Sequence, residues 1–282
     1  MVINKPSGPT SHDIVQKVRG LFRIKVGHTG TLDPLANGVL TLVLGRATRL
    51  ARFLQSSDKE YLAEIRLGIT TDTFDREGRI LEETTAPRIP PEQAHQVLSK
   101  FVGEIRQQAP LFSAVKVGGE RLYKLARRNQ RVQPPWRTVL IYRIDLREQS
   151  QETWKLDIHC SSGTYIRSLA HDIGQALGCG AHLQKLCRTR SGCFQLSRAI
   201  HCDQIESQWN RAFFPLEELL TELPRIDLDE QQSEEVRPGM KISGPGEHGK
   251  EFFRLFHDHS LIAIGKSEQD QLIHPVIVLR PA

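Results

Sequence analysis

The stretch Gly27-His28-Thr29-Gly30-Thr31-Leu32-Asp33-Pro34-Leu35-Ala36-Asn37-Gly38 constrains this chain more than any other. Its glycines allow sharp turns and let a ligand come close to the backbone. Asp33, the only anion of the stretch, precedes a proline and is thereby pushed toward an extended conformation. The run Val39-Leu-Thr-Leu-Val-Leu44 that follows reads as a buried strand. A polar, Gly-rich loop is therefore fixed to the start of a core strand. Taken alone, the Asp-Pro step is also an ordinary turn initiator, and the remaining sequence has to separate the two readings.

The elements around the loop are a mixture. Thr10-Ser11 offers an N-cap, and Ile14, Val15, Val18, Leu21 and Phe22 recur at helical spacing, so residues 11–22 form an amphipathic helix. Ala47, Leu50, Ala51 and Leu54 mark a short helix. Tyr61, Ala63, Ile65 and Leu67 alternate with polar residues as in a half-buried strand. Residues 70–78 are polar and turn-rich. Pro90-Pro91 opens a helix that runs through Val102, with Ala94, Val97, Leu98 and Phe101 on one face. Strands are predicted at Val139–Leu146, Thr153–Cys160 and near Gly192–Leu196, and a second strong helix carries Ile166, Leu169, Ala170, Ile173 and Leu177. Thr164 is the expected N-cap of that helix, and Gly178-Cys-Gly180 ends it. Leu216, Leu219, Leu220 and Leu223 predict another helix, closed by Pro224. Beyond residue 225 short strands alternate with Gly-rich turns, giving a small β domain over 226–282 beside a larger domain over 1–225. The fold class is α+β.

Composition excludes several classes. Of 282 residues, 39% are hydrophobic and 25% charged, the balance of a globular chain. The longest apolar run is too short to span a bilayer, and the N-terminus lacks the features of a signal peptide. A cytoplasmic protein is expected. The cysteines Cys160, Cys179, Cys187, Cys193 and Cys202 form no Cys-x-x-Cys pair, so the spacing of a zinc site is missing and reduced thiols are expected. Charge is concentrated: Lys116 to Arg147 holds nine Lys or Arg against two acids, an excess greater than the +5 of the whole chain. From Asp203 to Glu235 the sign reverses. Residues 112–135 show no clean period and end in Pro134-Pro135, as a long functional loop would. A basic block is the footprint of a polyanion partner or a solvated charged face.

Arg167, in Ser162-Gly-Thr-Tyr-Ile-Arg167, falls in the first turn of its helix, where the dipole disfavours a cation. It either points into solvent or meets an anion from elsewhere, and Asp33 is a candidate. Tyr61 is either a core residue of its strand or a platform on which an unpaired base stacks. Arg188, Thr189 and Arg190, beside Leu186 and a Gly turn, are compatible with RNA.

Gly27-His-Thr-Gly-Thr-Leu-Asp-Pro-Leu-Ala-x-Gly-Val-Leu40 resembles the catalytic motif of the TruB family of tRNA pseudouridine synthases. Further stretches agree in order: Lys5-Pro-x-Gly-x-Thr-Ser11, Lys59-x-Tyr61 with Leu67-Gly-x-x-Thr-x-Thr-x-Asp75, Cys160-Ser-Ser-Gly-Thr-Tyr-Ile-Arg167, Leu186 with Arg188-Thr-x-Ser-Gly192, and Pro134-Pro-x-x-Thr-Val-x-Ile-Tyr142. The likeness is strong over residues 3–200. Asn37 stands where the family usually carries Thr or a similar residue, and the start, four residues before Lys5, allows an upstream or trimmed N-terminus.

The resemblance implies a pseudouridine synthase fold, with a mixed, largely antiparallel central sheet flanked by helices and a PUA-like C-terminal domain. It implies isomerisation of the uridine at position 55 in the T loop of tRNA by base flipping. Asp33 would be the essential aspartate, Tyr61 the residue stacked on the base and linked to C5 deprotonation, and Arg167 the partner of the aspartate. His28, Lys5, Tyr165, Leu186 and Thr31 would meet or support the substrate. Arg127, Arg128 and Arg131 would serve a thumb loop over 112–135 that is mobile when free and orders on RNA. No metal and no cofactor are expected. The partner would be tRNA, through its T stem-loop and, at the C-terminal domain, its acceptor end; the protein would be a monomer away from membranes. Two alternatives use the same fold: a non-catalytic tRNA-binding or chaperone protein, and a guide-RNA-dependent subunit.

Overall fold

A computed structural model describes residues 1–282 except 129, 131, 245–250, 269–270 and 280–282. Among the described residues a ten-stranded mixed sheet dominates. Along its main path the strands are Ile200–His201, Val2–Lys5, Asn37–Leu44, Ala181–Ser191, Lys59–Leu67, Thr153–Cys160, Trp136–Gln149 and Gly103–Gln108, in that spatial order; Val26–His28 and Phe194–Gln195 pair beside it. Most neighbours are antiparallel; the Ile200–His201 and Val2–Lys5 pair and the Ala181–Ser191 and Asn37–Leu44 pair are parallel. Helices Ser11–Phe22, Pro91–Ser99 and Ile166–Ala176 bury their apolar faces against the sheet in one core, with Val18, Ala94, Leu98, Ile173, Trp154 and Ile158 inside it. Gly174 lets the last of these helices come close: a Cβ there would sit 2.1 Å from Ala181 N.

A second, five-stranded sheet is built from Arg225–Asp227, Phe252–His257, Ser260–Ser267, Leu272–Val278 and Ile242–Ser243. This fits the PUA-like expectation. Phe256, Leu261 and Ile264 pack into one apolar cluster with Val2, Val39 and Val43, so the small sheet leans on the Val2–Lys5 strand and on the Asn37–Leu44 strand that follows the Gly-rich loop. No helix of the described residues is long and apolar enough to cross a membrane.

Several expectations are corrected. The Pro91 helix stops at Ser99, three residues early, and Gly103 takes a φ of 99° just beyond. Thr164 does not cap the Ile166–Ala176 helix. Tyr165 holds the cap position, and Gln107, wholly buried, satisfies its main chain, accepting from Tyr165 N at 2.8 Å and donating to Tyr165 O at 3.0 Å. The leucines at 216–223 do not form a helix: a 3-10 turn at Leu216–Glu218 follows Pro215, and Leu220 sits at φ 57°, a left-handed conformation that ends any helix. Residues 112–128 are not an irregular loop. Lys116–Val117 pairs with Glu120–Arg121, and Leu122–Arg127 is helical, with Leu122 and Leu125 buried.

Candidate active site

The Gly-rich loop is pinned from three sides. Leu32 N donates to Ser11 Oγ at 2.8 Å and Ser11 Oγ donates to Leu32 O at 3.0 Å, which ties the loop to the first helix. Gly8 N donates to Pro34 O at 2.8 Å and Ser7 Oγ to Leu35 O at 2.9 Å, which ties it to the Lys5–Thr10 segment. Thr29 N donates to Thr41 O at 3.1 Å across its base. Leu32, Leu35 and Ala36 are buried on either side of the Asp33-Pro34 step. Asp33 is thus the partly exposed point of a loop whose flanks belong to the core.

Arg167 brings the opposite charge. It is the second residue of its helix, and its side chain is only 5% exposed. Nη2 donates to Asp33 Oδ1 at 3.1 Å, while Nε lies 2.8 Å from Oδ2 at an angle that falls short of a hydrogen bond. The same guanidinium donates through Nη1 to Thr73 O at 3.2 Å and through Nη2 to Phe112 O at 3.1 Å. A second carboxylate, Asp75, lies 3.4 Å from Nη1. Asp75 is itself fixed, accepting from Thr73 Oγ1 at 2.7 Å and from Glu77 N at 3.0 Å. Two carboxylates therefore offset the unfavourable place of Arg167 in its helix dipole. Phe74, between Thr73 and Asp75, is at φ 62° and stacks on His171 at 4.1 Å, one turn after Arg167.

Tyr61 is buried in the central strand with Arg188 directly across from it in register. Burial holds the Tyr61 phenol above its ordinary pKa; Arg188 acts in the other direction, and Asp33 is near enough to reinforce the rise. Arg188, 2% exposed, donates Nε to Val39 O at 2.7 Å and Nη2 to Gly30 O at 3.0 Å. It clamps the two ends of the loop and is not free for RNA. Arg190 is likewise engaged, with Asp58 at 2.8 Å and Glu60 at 2.9 Å.

The remaining predicted residues separate into groups. Lys5 is fully buried, and its Nζ donates to Pro6 O and Pro9 O at 2.8 Å and to Pro34 O at 3.4 Å, so the ammonium holds the loop; burial lowers its pKa to about 8. His28 is half-buried with Nδ1 lacking a partner among the described residues, and burial lowers its pKa. Leu186 is buried, Thr31 is exposed, and the Tyr165 ring lies 5.2 Å from the guanidinium of Arg137. Arg127 and Arg128 are exposed, Arg128 pairing with Glu120 at 2.9 Å; Arg131 lies outside the described residues. Among the described residues no cluster of three His, Cys, Asp or Glu could hold a metal ion.

A carboxylate oriented by a buried guanidinium, beside a buried phenol, can attack or deprotonate an electrophilic nucleoside. A family model described as the N-terminal domain of TruB family pseudouridylate synthase matches residues 17–166, more than half the chain. The chain belongs to the TruB family. A model for the tRNA pseudouridylate synthase B C-terminal domain matches residues 167–223, ending before the five-stranded sheet. The tRNA pseudouridine synthase B of Solibacter usitatus is 42% identical over 99% of both chains. That of Francisella tularensis subsp. novicida is 40% identical over 97% of this chain and 92% of its own, and that of Clostridium tetani 39% over 95% and 96%. Among solved structures, a chain of a Cbf5–Nop10–Gar1 complex aligns with TM-score 0.75 and 28% identity over 99% of this chain and 85% of that one. A chain of an H/ACA RNP bound to a substrate RNA containing 2′-deoxyuridine aligns with TM-score 0.74 and 27% identity, again over 99% and 85%. Asp75 and Arg188 are the members of this TruB site whose roles motif reading missed, although both lie inside matched motifs; only their burial reveals that they hold other site residues.

Proposed function

We propose that this protein isomerises uridine to pseudouridine at position 55 in the T loop of tRNA. The observation that carries the reading is the Asp33 carboxylate, held by Arg167 at the point of a pinned loop and close to Tyr61. In this reaction the N1–C1′ bond breaks, a C5–C1′ bond forms, the C5 proton leaves and N1 is protonated. The target base leaves its stack to reach the site. Asp33 supplies the carboxylate needed for glycosidic cleavage, Tyr61 faces the flipped base, and the Arg167 pair keeps Asp33 aimed. His28, Thr31, Tyr165 and Leu186 line the approach of the nucleotide, and Lys5 supports the loop. Arg127, Arg128 and Arg131 meet RNA phosphates from the 112–135 segment.

The same reading assigns residues 1–225 to catalysis and 226–282 to contact with the acceptor end of the tRNA, in a cytoplasmic monomer. Identity near 40% over almost the full length to proteins named tRNA pseudouridine synthase B favours a stand-alone enzyme over a guide-dependent subunit.

The test is to mix purified protein alone with unmodified tRNA carrying tritium at uridine C5. Stoichiometric release from one T-loop uridine is expected. Asp33→Asn should abolish release while tRNA affinity stays within about tenfold, because phosphate contacts dominate binding. Tight binding without release by the wild type would leave only the binding-protein alternative.

A further inference from the structure

The segment from Lys17 to Arg52 carries seven Lys or Arg and a single acid, Asp33. Folding gathers most of these bases on one surface. Arg19 and Arg23 close the first helix, and Arg23 is its left-handed C-cap at φ 52°. Lys25 O accepts from Gly45 N at 2.8 Å, which sets the end of that helix beside the Gly45–Leu50 3-10 turn and the Ala51–Gln55 helix, bearing Arg46, Arg49 and Arg52. All six side chains are exposed.

Their charge is not neutralised. Among the described residues none of the six forms an ion pair, as is also true of Arg106, Lys124 and Arg127; what sets the six apart is that Lys17 to Arg52 supplies only one acid, Asp33, and that acid pairs with Arg167. The contacts they make are to carbonyls or a ring: Arg19 donates to Val26 O at 3.3 Å, Arg49 to Val278 O, and Arg52 lies 4.9 Å from the Phe53 ring. The exposed apolar residues Leu21 and Ile24 lie among them.

Position gives the surface a direction. Val26–His28 pairs with Asn37–Leu44 so that Lys25 and Gly45 lie at one end of the hairpin and the Asp33 loop at the other. Three residues of strand separate Lys25 from His28, about 10 Å. That is too far for a nucleotide held at Asp33 but within reach of the same RNA. Away from the loop the surface continues to the five-stranded sheet, through Arg49 and Val278 and through the edge-on Phe53–Phe252 pair. The 112–135 segment meets the site elsewhere, through Phe112 O on Arg167.

We propose that the surface of Arg19, Arg23, Lys25, Arg46, Arg49 and Arg52 binds the sugar-phosphate backbone of the helical stem that closes the target loop of the RNA. The inference rests on the RNA substrate proposed above. A patch of exposed cations without ion-pair partners among the described residues fits the phosphates of a duplex and carries no base readout.

The test compares wild type with Arg23→Gln/Lys25→Gln/Arg46→Gln on two RNAs: a stem-loop with its full stem, and an unpaired oligonucleotide of the loop sequence alone. On the stem-loop, the slope of log affinity against log salt should become shallower by about 2, near 0.7–0.9 per lost phosphate contact. On the loop oligonucleotide the slope should not change, and the thermal midpoint should match wild type. Arg46→Gln/Arg52→Gln, confined to the 3-10 turn and the short helix, should lose a slope of about 1.5 on the stem-loop alone. Equal loss on both RNAs would move the contact to the loop and overturn the proposal, as would no change on either. Wild-type protein that binds the stem-loop steeply but releases no tritium would end the proposed activity and leave this surface assignment standing.

Discussion

Asp33 and Asp75 share one guanidinium: Asp33 takes the Nε and Nη2 edge of Arg167 at 2.8 and 3.1 Å, and Asp75 lies 3.4 Å from Nη1. The Asp75 side chain is 7% exposed against 31% for Asp33, so the two acids are not equivalent. The buried one fixes the arginine, and the arginine aims the accessible one. Asp75→Asn should therefore lower kcat for tritium release by about 10²-fold, the cost of a small misplacement at a reacting group, with tRNA affinity nearly unchanged. Arg167→Ala should do more, because it leaves Asp75 buried and unpaired at about 3–5 kcal/mol. A thermal melt should show a loss of roughly 10 °C. An Asp75→Asn enzyme with wild-type kcat would remove Asp75 from the positioning role.

The division between what the sequence displayed and what it concealed follows from this arrangement. The Thr153–Cys160 strand and the Ser11–Phe22 helix were legible because one face of each is apolar at a regular period. The Ala181–Ser191 strand lies between Asn37–Leu44 and Lys59–Leu67, yet gives no such signal. Two register shifts, at Leu183/Lys185 and Arg188/Arg190, break its alternation, and its buried positions include His182 and Arg188. A charged residue reads as surface unless its partners are known, and the acceptors of Arg188 are backbone carbonyls of the Gly-rich loop, far away in sequence. The 216–223 leucines misled in the opposite sense: their spacing is helical, but Leu219 and Leu220 are buried, and Leu216 and Leu223 half-buried, from an irregular chain in the apolar cluster of the small sheet. Asp33 was conspicuous because its loop is local; Asp75 and Gln107 act through contacts 92 and 58 residues away in the chain and so left no local pattern.

Asp172 should make stability depend on pH. It sits in the Ile166–Ala176 helix with no ion-pair or hydrogen-bond partner among the described residues, and burial raises its pKa from 3.8 to about 6. The folded state then binds more protons than the unfolded state between those values, so this group favours folding below pH 3.8 and loses that advantage as pH rises through 6. Asp172→Asn should stabilise the protein at pH 7 by roughly 1–2 kcal/mol, discounted for partial exposure. The gain should shrink between pH 6 and pH 3.8, as read by paired thermal melts. A gain that does not vary with pH would show that the carboxylate charge is not its source.

Gly38 is where the closing end of the loop meets the Ala181–Ser191 strand. It has φ +104°, and a Cβ there would lie 2.3 Å from Arg188 O and 2.7 Å from Arg188 N, both backbone atoms with no room to move. Gly38→Ala should cost about 2–4 kcal/mol from strain and overlap together, and should reduce tritium release by displacing the Arg188 clamp on Gly30 O and Val39 O. Gly45→Ala is the matched control: its φ is +54°, but nothing lies within 4 Å of the added methyl. It should cost only about 1 kcal/mol and leave kcat intact. Similar losses of stability and turnover in both variants would mean that glycine's left-handed backbone, and not the Arg188 contact, is what the site requires at position 38.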